Sequence, residues 1–471
     1  MKKSAWFGVL AVSAGLAVSA VMAQENYATA WSGHKNVIVN TDVTGVTTPV
    51  TGFPLLIRLD SSHAAIFAQS RAGGVDVRFT KQDNVTRLPH QIESWDSAGL
   101  KAVIWMRADT LAPGRNNLSF RMHWGNATAA DSSSAQQVFD TAQGFQAVWH
   151  MGGTADEDDA TANGFTAVQN GVPLTAPGVI GSARVVSSGN YFRADGTADG
   201  VLNFPEGSNY TISAWVNSST LPGHGTIVSK HDNAYALKMN SDGSSWEFFE
   251  FGTDLTVAGW NWVNAPAFDD AGVWRLITGV RTDIDVEIYV DGVRMDGGFA
   301  TSGSTAARVL DRDVVIGAQP SGSNTTVQRA FDGSIDEVRM ANVARSPDWI
   351  RLEYETQKPG VTITSLLDTV PTALASAPYR REAIRVRAAG EGLRFDLTGL
   401  AGLDVTRARY VVRDLRGQLV AMRTVDVRDG GLVWDARDAA GAPVPQGVYV
   451  VRIAIPGRTS PVLERTVTLT R

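Results

Sequence analysis

Short alternating runs of β-branched and aromatic residues, each closed by Gly, Asn, Asp or Pro, recur along almost the whole chain. Asn36-Val37-Ile38-Val39, Ala102-Val103-Ile104-Trp105-Met106, Thr211-Ile212-Ser213-Ala214-Trp215-Val216 and Val286-Glu287-Ile288-Tyr289-Val290 are examples. A period of two sends successive side chains to opposite faces of a strand, and these residue types fit a pleated, half-buried surface. Asp291-Gly292, directly after the last run, is a hairpin turn, because that pair accepts the positive φ angles a tight turn needs. Helical periodicity is confined to one short stretch at 347–356, with Ser346 placed to cap it and Pro347 in its first turn. Regular short strands with turn signals close into sandwiches or barrels, so the expected class is all-β and multidomain.

The N-terminus reads as an export signal. Lys2 and Lys3 precede an uncharged stretch of apolar and small residues at 5–20, and Val21-Met22-Ala23 supplies a cleavage site. Cleavage after Ala23 would start the mature chain at Gln24, in the extracellular space, on the cell surface or in the periplasm. The run is short against the roughly 20 residues of a spanning helix, and the mature chain carries no further candidate span. No cysteine follows it, which excludes a lipid-anchored form. The complete absence of cysteine also removes thiol catalysis, cysteine zinc sites and iron–sulfur clusters. The net charge of −6 forms no basic patch, so nucleic acid is not an expected partner.

At about 150 residues per domain, the 471 residues divide into about three units. The first, 31–145, contains Phe53-Pro54-Leu55-Leu56-Ile57-Arg58-Leu59, Gly74-Val75-Asp76-Val77-Arg78-Phe79-Thr80, Leu88-Pro89-His90-Gln91-Ile92-Glu93-Ser94-Trp95 and Met122-His123-Trp124-Gly125-Asn126. These resemble the bacterial domain-of-unknown-function family 2341, which implies a β-sandwich on envelope or extracellular proteins and no known chemistry. Asp76, Arg78 and Glu93 read as a structural ion pair rather than a catalytic set.

The second unit, 146–360, contains Tyr210-Thr211-Ile212-Ser213-Ala214-Trp215-Val216, Trp274-Arg275-Leu276-Ile277-Thr278-Gly279-Val280 and the closing run Phe331-Asp332-Gly333-Ser334-Ile335-Asp336-Glu337-Val338-Arg339. It resembles the concanavalin A-like, laminin-G-type jelly roll. A linker is expected at 361–384. The last unit, 385–471, carries Trp434-Asp435-Ala436-Arg437-Asp438 and Val444-Pro445-Gln446-Gly447-Val448-Tyr449-Val450. It resembles the Ig-like domain of hook-capping proteins and the sorting domains of type IX secretion cargo, which implies surface or secretion machinery as its partner.

Three kinds of chemistry are candidates. Asp283-Ile284-Asp285-Val286-Glu287 puts three carboxylates at spacing two, as in family-16 glycoside hydrolases, where the outer pair stands about 5–5.5 Å apart. Here the first position is Asp, and the segment leads straight into the hairpin, so it reads as a solvated strand face and the chain as no enzyme. Calcium is the one expected cofactor. Some jelly rolls of this class bind it, and by that resemblance Asp332 and Asp336 are its ligands, with the acidic run Asp156-Glu157-Asp158-Asp159 a second place by charge density. His150 reads as a satisfied structural histidine. Sugar faces stack on aromatic rings beside polar groups, and the densest such region holds Trp246, Trp260, Asn261 and Trp262. The expectation is a non-enzymatic binding or adhesion protein that recognises a glycan or cell-wall polymer through the jelly roll, with a structural envelope component as the alternative.

Overall fold

The computed structural model describes residues 27, 29–197, 200–205, 208–231, 234–252, 259–267, 271–282, 285–295, 298–303, 309–321, 325–360, 363–371, 386–389, 392–396, 407–414, 419–427, 431–438, 441–454 and 461–469. The export signal at 1–23 lies outside them. Strand outweighs helix by 49% to 9%, and the all-β, multidomain expectation holds.

The first domain is two sheets face to face. One holds Val50–Leu59, Lys101–Leu111 and His90–Asp96; the other is ordered Thr364–Leu367, Gly33–Val39, Leu118–Trp124, Arg78–Thr80, Arg87–Leu88. Leu55, Leu56 and Ile57 are all buried, so this strand does not alternate. The reason is that it is covered twice. One face meets the partner sheet, and on the other the Leu56 N–H donates to Thr356 of the helix Pro347–Gln357. A strand buried on both faces needs a continuous apolar run.

Two findings revise the expected boundaries. Residues 364–367, placed in the linker from sequence, pair antiparallel with Gly33–Val39, and Lys35 bonds Asp368 at 2.7 Å. The jelly roll is therefore inserted between parts of the first domain's sheet. The boundary at 145/146 runs through one apolar core that joins Leu55 and Trp105 to Phe145, Val148, Ile180 and Trp349. The helix itself forms as read: Ser346 Oγ accepts from the Trp349 N–H, with Pro347 in its first turn.

The jelly roll packs two eight-stranded sheets. The first sheet carries Tyr210–Ser218, Trp274–Arg281, Val286–Val290 and Gly333–Ala341; the second carries Thr226–Ser229, Tyr235–Met239, Trp246–Gly252 and Gly259–Asn264. Ile212, Ile277, Ile288 and Met340 from the first meet Trp246 and Phe248 from the second. Gly279 makes this approach possible, since a Cβ there would lie 2.3 Å from the Phe248 ring. Asp291 and Gly292 both take positive φ, 52° and 74°, and close the expected hairpin.

At the C-terminus, a three-stranded and a four-stranded sheet enclose a separate core of Phe395, Tyr410, Trp434, Tyr449 and Val451. The Tyr449 hydroxyl donates to the Pro445 carbonyl at 2.6 Å, and its ring meets Trp434 edge-on.

Candidate functional site

The outer face of the jelly roll's first sheet is not free. Trp215 stacks on Tyr354 of the helix, Val280 and Tyr289 pack on Ile350, and Ser213 donates to Glu353. The helix and the first domain close this face, which leaves the outer face of the second sheet.

Alternation sorts that second sheet. On Trp246–Gly252, Trp246 and Phe248 turn into the sandwich core, whereas Phe249 and Phe251 turn outward. On Gly259–Asn264, Val263 turns inward, and Trp260 and Trp262 turn outward. The register sets Trp262 opposite Phe249 and Trp260 opposite Phe251, with the Phe249 and Trp260 rings 5.0 Å apart. Both tryptophans are half-buried. One strand further in, the buried Lys238 Nζ lies 2.8 Å from Glu247, 3.3 Å from His224 Nδ1 and 5.1 Å from the centre of the Phe249 ring.

The four residues expected to bind a ligand are therefore split. Trp246 is fully buried and belongs to the core. Asn261 is fully buried on the inward side, and neither of its side-chain polar atoms has a hydrogen-bond partner. Only Trp260 and Trp262 reach the outer face. The correction follows from strand period: Trp246 and Trp260 sit on opposite faces of adjacent strands.

A second cluster lies between the first domain and the jelly roll. Glu93 comes from His90–Asp96, His150 follows the strand Phe145–Trp149, and Glu337 and Arg339 come from Gly333–Ala341. His150 Nδ1 stands 2.7 Å from Glu337 Oε1 and 3.4 Å from Glu93 Oε2. The other ring nitrogen meets the Gln91 side chain at 3.1 Å. Trp105 Nε1 donates to Glu93 at 2.6 Å. Arg339 bridges Glu337 at 2.7 Å and Glu353 at 3.1 Å, with its guanidinium 4.6 Å from the Trp105 ring centre. Burial, the largest influence, pushes Glu93 up to about 7. Burial opposes a charged His150, but Glu337 and Glu93 outweigh it and hold the ring up to about 9. Burial also disfavours a charged Glu337, yet His150 and Arg339 keep it below the usual carboxylate range.

Among the described residues, Glu93, His150 and Glu337 are the one group whose donor atoms, all within 4.8 Å of one another, could hold a metal ion. Each already has a partner, and Arg339 supplies a cation, so the cluster is satisfied without one. The expected calcium ligands are not brought together. Four residues of extended chain put Asp332 and Asp336 roughly 13 Å apart. Asp332 accepts from Thr220, and Asp336 accepts from the Ile180 N–H at 2.9 Å. In the acidic run, Asp159 binds the N–H groups of Val148, Thr161 and Phe165, and Glu157 lies 3.5 Å from Arg184, so these carboxylates hold a loop together.

The other sequence candidates resolve similarly. Asp76 binds the N–H groups of Arg71, Gly125 and Asn126, while Arg78 donates to the carbonyls of Val75 and Val77, so neither pairs with Glu93. Asp283 lies outside the described residues. Asp285 and Glu287 both bind Arg294, at 3.1 and 2.6 Å, and Tyr289 donates to Glu287.

Comparison with known proteins agrees with this architecture. Residues 187–351 match the family described as the concanavalin A-like lectin/glucanases superfamily, and residues 73–151 match a domain of unknown function, DUF2341. No curated protein matches the chain. Among solved structures, domain 4 of AbnA, a GH43 extracellular arabinanase from Geobacillus stearothermophilus in complex with arabinotriose, is similar at 17% identity. The match covers 46% of this chain and 98% of that one, with a TM-score of 0.32. The botulinum neurotoxin serotype D binding domain is similar at 11% identity, over 67% of this chain and 73% of that one, also at 0.32.

Proposed function

Taking the chain as a DUF2341 domain joined to a concanavalin A-like domain, we propose that it is a non-enzymatic glycan-binding protein of the bacterial exterior. Its sugar site is the outer face of the jelly roll's second sheet, around Trp260 and Trp262. One observation supports this most. The helix and the first domain cover one outer face of the jelly roll, while the other presents two adjacent half-buried indoles. Indole faces stack on sugar C–H faces. The first domain acts as a rigid base, and the C-terminal sandwich, read as Ig-like, connects the protein to surface or secretion machinery. The run of basic and small apolar residues at the N-terminus supports export.

The test is binding of the mature chain to a glycan array and to insoluble cell-wall polysaccharides, repeated with Trp260→Ala and Trp262→Ala. Stacking platforms are expected to lose at least about tenfold in affinity, or about 1.4 kcal/mol. A wild-type chain that binds no glycan, or variants that bind as well as wild type, would defeat the reading.

A further inference from the structure

We propose that the pocket at one end of the jelly roll, formed by Val201, Pro205, Ser208, Asn209 and Asn342 over Phe204, is a second sugar site that takes one uncharged sugar residue. The class of ligand rests on the glycan-binding reading; the pocket stands on its own residues.

The loop between the strands Tyr191–Ala194 and Tyr210–Ser218 builds it. Leu202 and Phe204 of this loop are buried and pin it to the sandwich. The Phe204 ring stacks on Tyr210 of the first sheet, with centres 4.6 Å apart and planes 3° from parallel, and lies 5.5 Å from Tyr235 of the second. Tyr235 adds its hydroxyl, which donates to the Leu202 carbonyl at 2.8 Å. Two turns shape the rim, where Asn203 N–H donates to Gly200 at 3.1 Å and Ser208 N–H to Pro205 at 3.0 Å. Asn342 arrives from the other side, after the strand Gly333–Ala341, with its N–H bound to the Gly144 carbonyl at 2.9 Å. The pocket is therefore preformed, and its 420 Å³ falls within the range of small-ligand sites, about 300–1,000 Å³.

Phe204 holds a φ of 40° in this arrangement. A bulky aromatic residue in the left-handed region is an outlier, and such strain persists only where the surroundings over-determine it. Here the ring is fixed on the two tyrosines while the next residue, Pro205, stays exposed at the rim.

The lining selects the ligand. Among the described residues no charged side chain borders the pocket, so an ion finds no counter-charge there. The side chains of Ser208, Asn209 and Asn342 make no hydrogen bond within the protein, whereas the carboxylates of the joint, the acidic run and 285–287 all have internal partners. Amide and hydroxyl groups both donate and accept, which is what sugar hydroxyls require. Val201, 44% exposed, and Pro205 offer apolar surface to the ring.

The pocket also lies near the tryptophan face. Phe204 meets Tyr235, Tyr235 stands opposite Glu250, and Glu250 stands opposite Asn261, which adjoins Trp260. Tyr235 and Asn261 are thus two strand spacings apart, about 10 Å. One glycan chain can run from Trp260 into the pocket.

The experiment uses the full mature chain. Saturation-transfer NMR reads binding of free glucose, galactose, mannose and N-acetylglucosamine, and pull-down reads binding of cell-wall polysaccharide. At least one free sugar should bind wild type, and Asn209→Ala and Asn342→Ala should each weaken it by about tenfold. Val201→Trp fills the mouth without removing a polar group and should abolish binding. Trp260→Ala should leave the free sugar bound and lower polymer binding. Val201, Asn209 and Asn342 are exposed, so their variants should melt with wild type. Polymer that binds through Trp260 while no free sugar binds would overturn the pocket and leave the tryptophan face standing. So would a free sugar held equally well by Asn209→Ala, Asn342→Ala and Val201→Trp. Binding that needs the two asparagines at every chain length but never Trp260 would support the pocket and defeat the tryptophan face. A wild type that binds neither sugar nor polymer would overturn both.

Discussion

Replacing Trp246 with alanine separates the two roles that tryptophans play in the jelly roll. Trp246 is fully buried, its strand is paired to Tyr235–Met239 on one side and to Gly259–Asn264 on the other, and its ring lies 6.4 Å from that of Phe331. A buried indole removes up to about 250 Å² from water, which at about 25 cal/mol per Å² is about 6 kcal/mol before the retained alanine is subtracted. Ladders on both sides keep the backbone from closing over the hole, so a loss of about 3–5 kcal/mol is expected. For a domain of this size that lowers Tm by roughly 6–20 °C. Trp262→Ala starts from a half-buried ring on the outer face, and its loss should be less than about half as large. Differential scanning calorimetry of the two variants beside wild type gives the answer. If Trp246→Ala melts within about 3 °C of wild type, or Trp262→Ala is the more damaging, the assignment of faces is wrong.

Two further changes probe the fold. Gly279→Ala places a methyl 2.3 Å from the Phe248 ring and should cost about 1–3 kcal/mol, read as a lower urea midpoint at unchanged slope. A chain ending at residue 360 should be less stable than one ending at 371 by at least about 2 kcal/mol. The shorter chain lacks buried Ile363 and the strand Thr364–Leu367; equal urea midpoints would show that this strand adds nothing to the first domain.

The sheets were legible because period-two alternation is a local property. It placed Trp260 and Trp262 on one face with Asn261 opposite, and Trp246 with Phe248, as the structure has them. The helix was legible from Ser346 and Pro347, and the hairpin from Asp291-Gly292, since caps and tight turns are written in single residues. What period cannot state is which face of a strand is the core. Trp246 was misplaced for that reason: the Asn, Asp, Thr and Gly residues mixed with the aromatics of 246–262 resemble a surface, yet Trp246 and Asn261 are both fully buried. The edge strand Thr364–Leu367 was hidden by the same limit. Four residues with one Leu-Leu pair look like a linker until a partner, Gly33–Val39, arrives from more than three hundred residues away.

The joint was harder still, because its meaning depends on a break in the pattern. Strict alternation along Gly333–Ala341 would send Asp336 and Glu337 to opposite faces, one of them into the apolar sandwich. Instead the pairing with Tyr210–Ser218 slips between Ser213 and Trp215, and Glu337 adopts a positive φ of 52°. Such a bulge inserts a residue and re-aims its side chain. Asp336 reaches the Ile180 N–H, Glu337 reaches His150, and Val338 then resumes its place in the core. A non-glycine residue in that backbone region is uncommon and costs free energy. Here the strained position coincides with the residue that receives both His150 and Arg339, so the bulge and the charge cluster explain each other. The polar joint needs two adjacent acids on one side of a strand, and only a broken register can put them there.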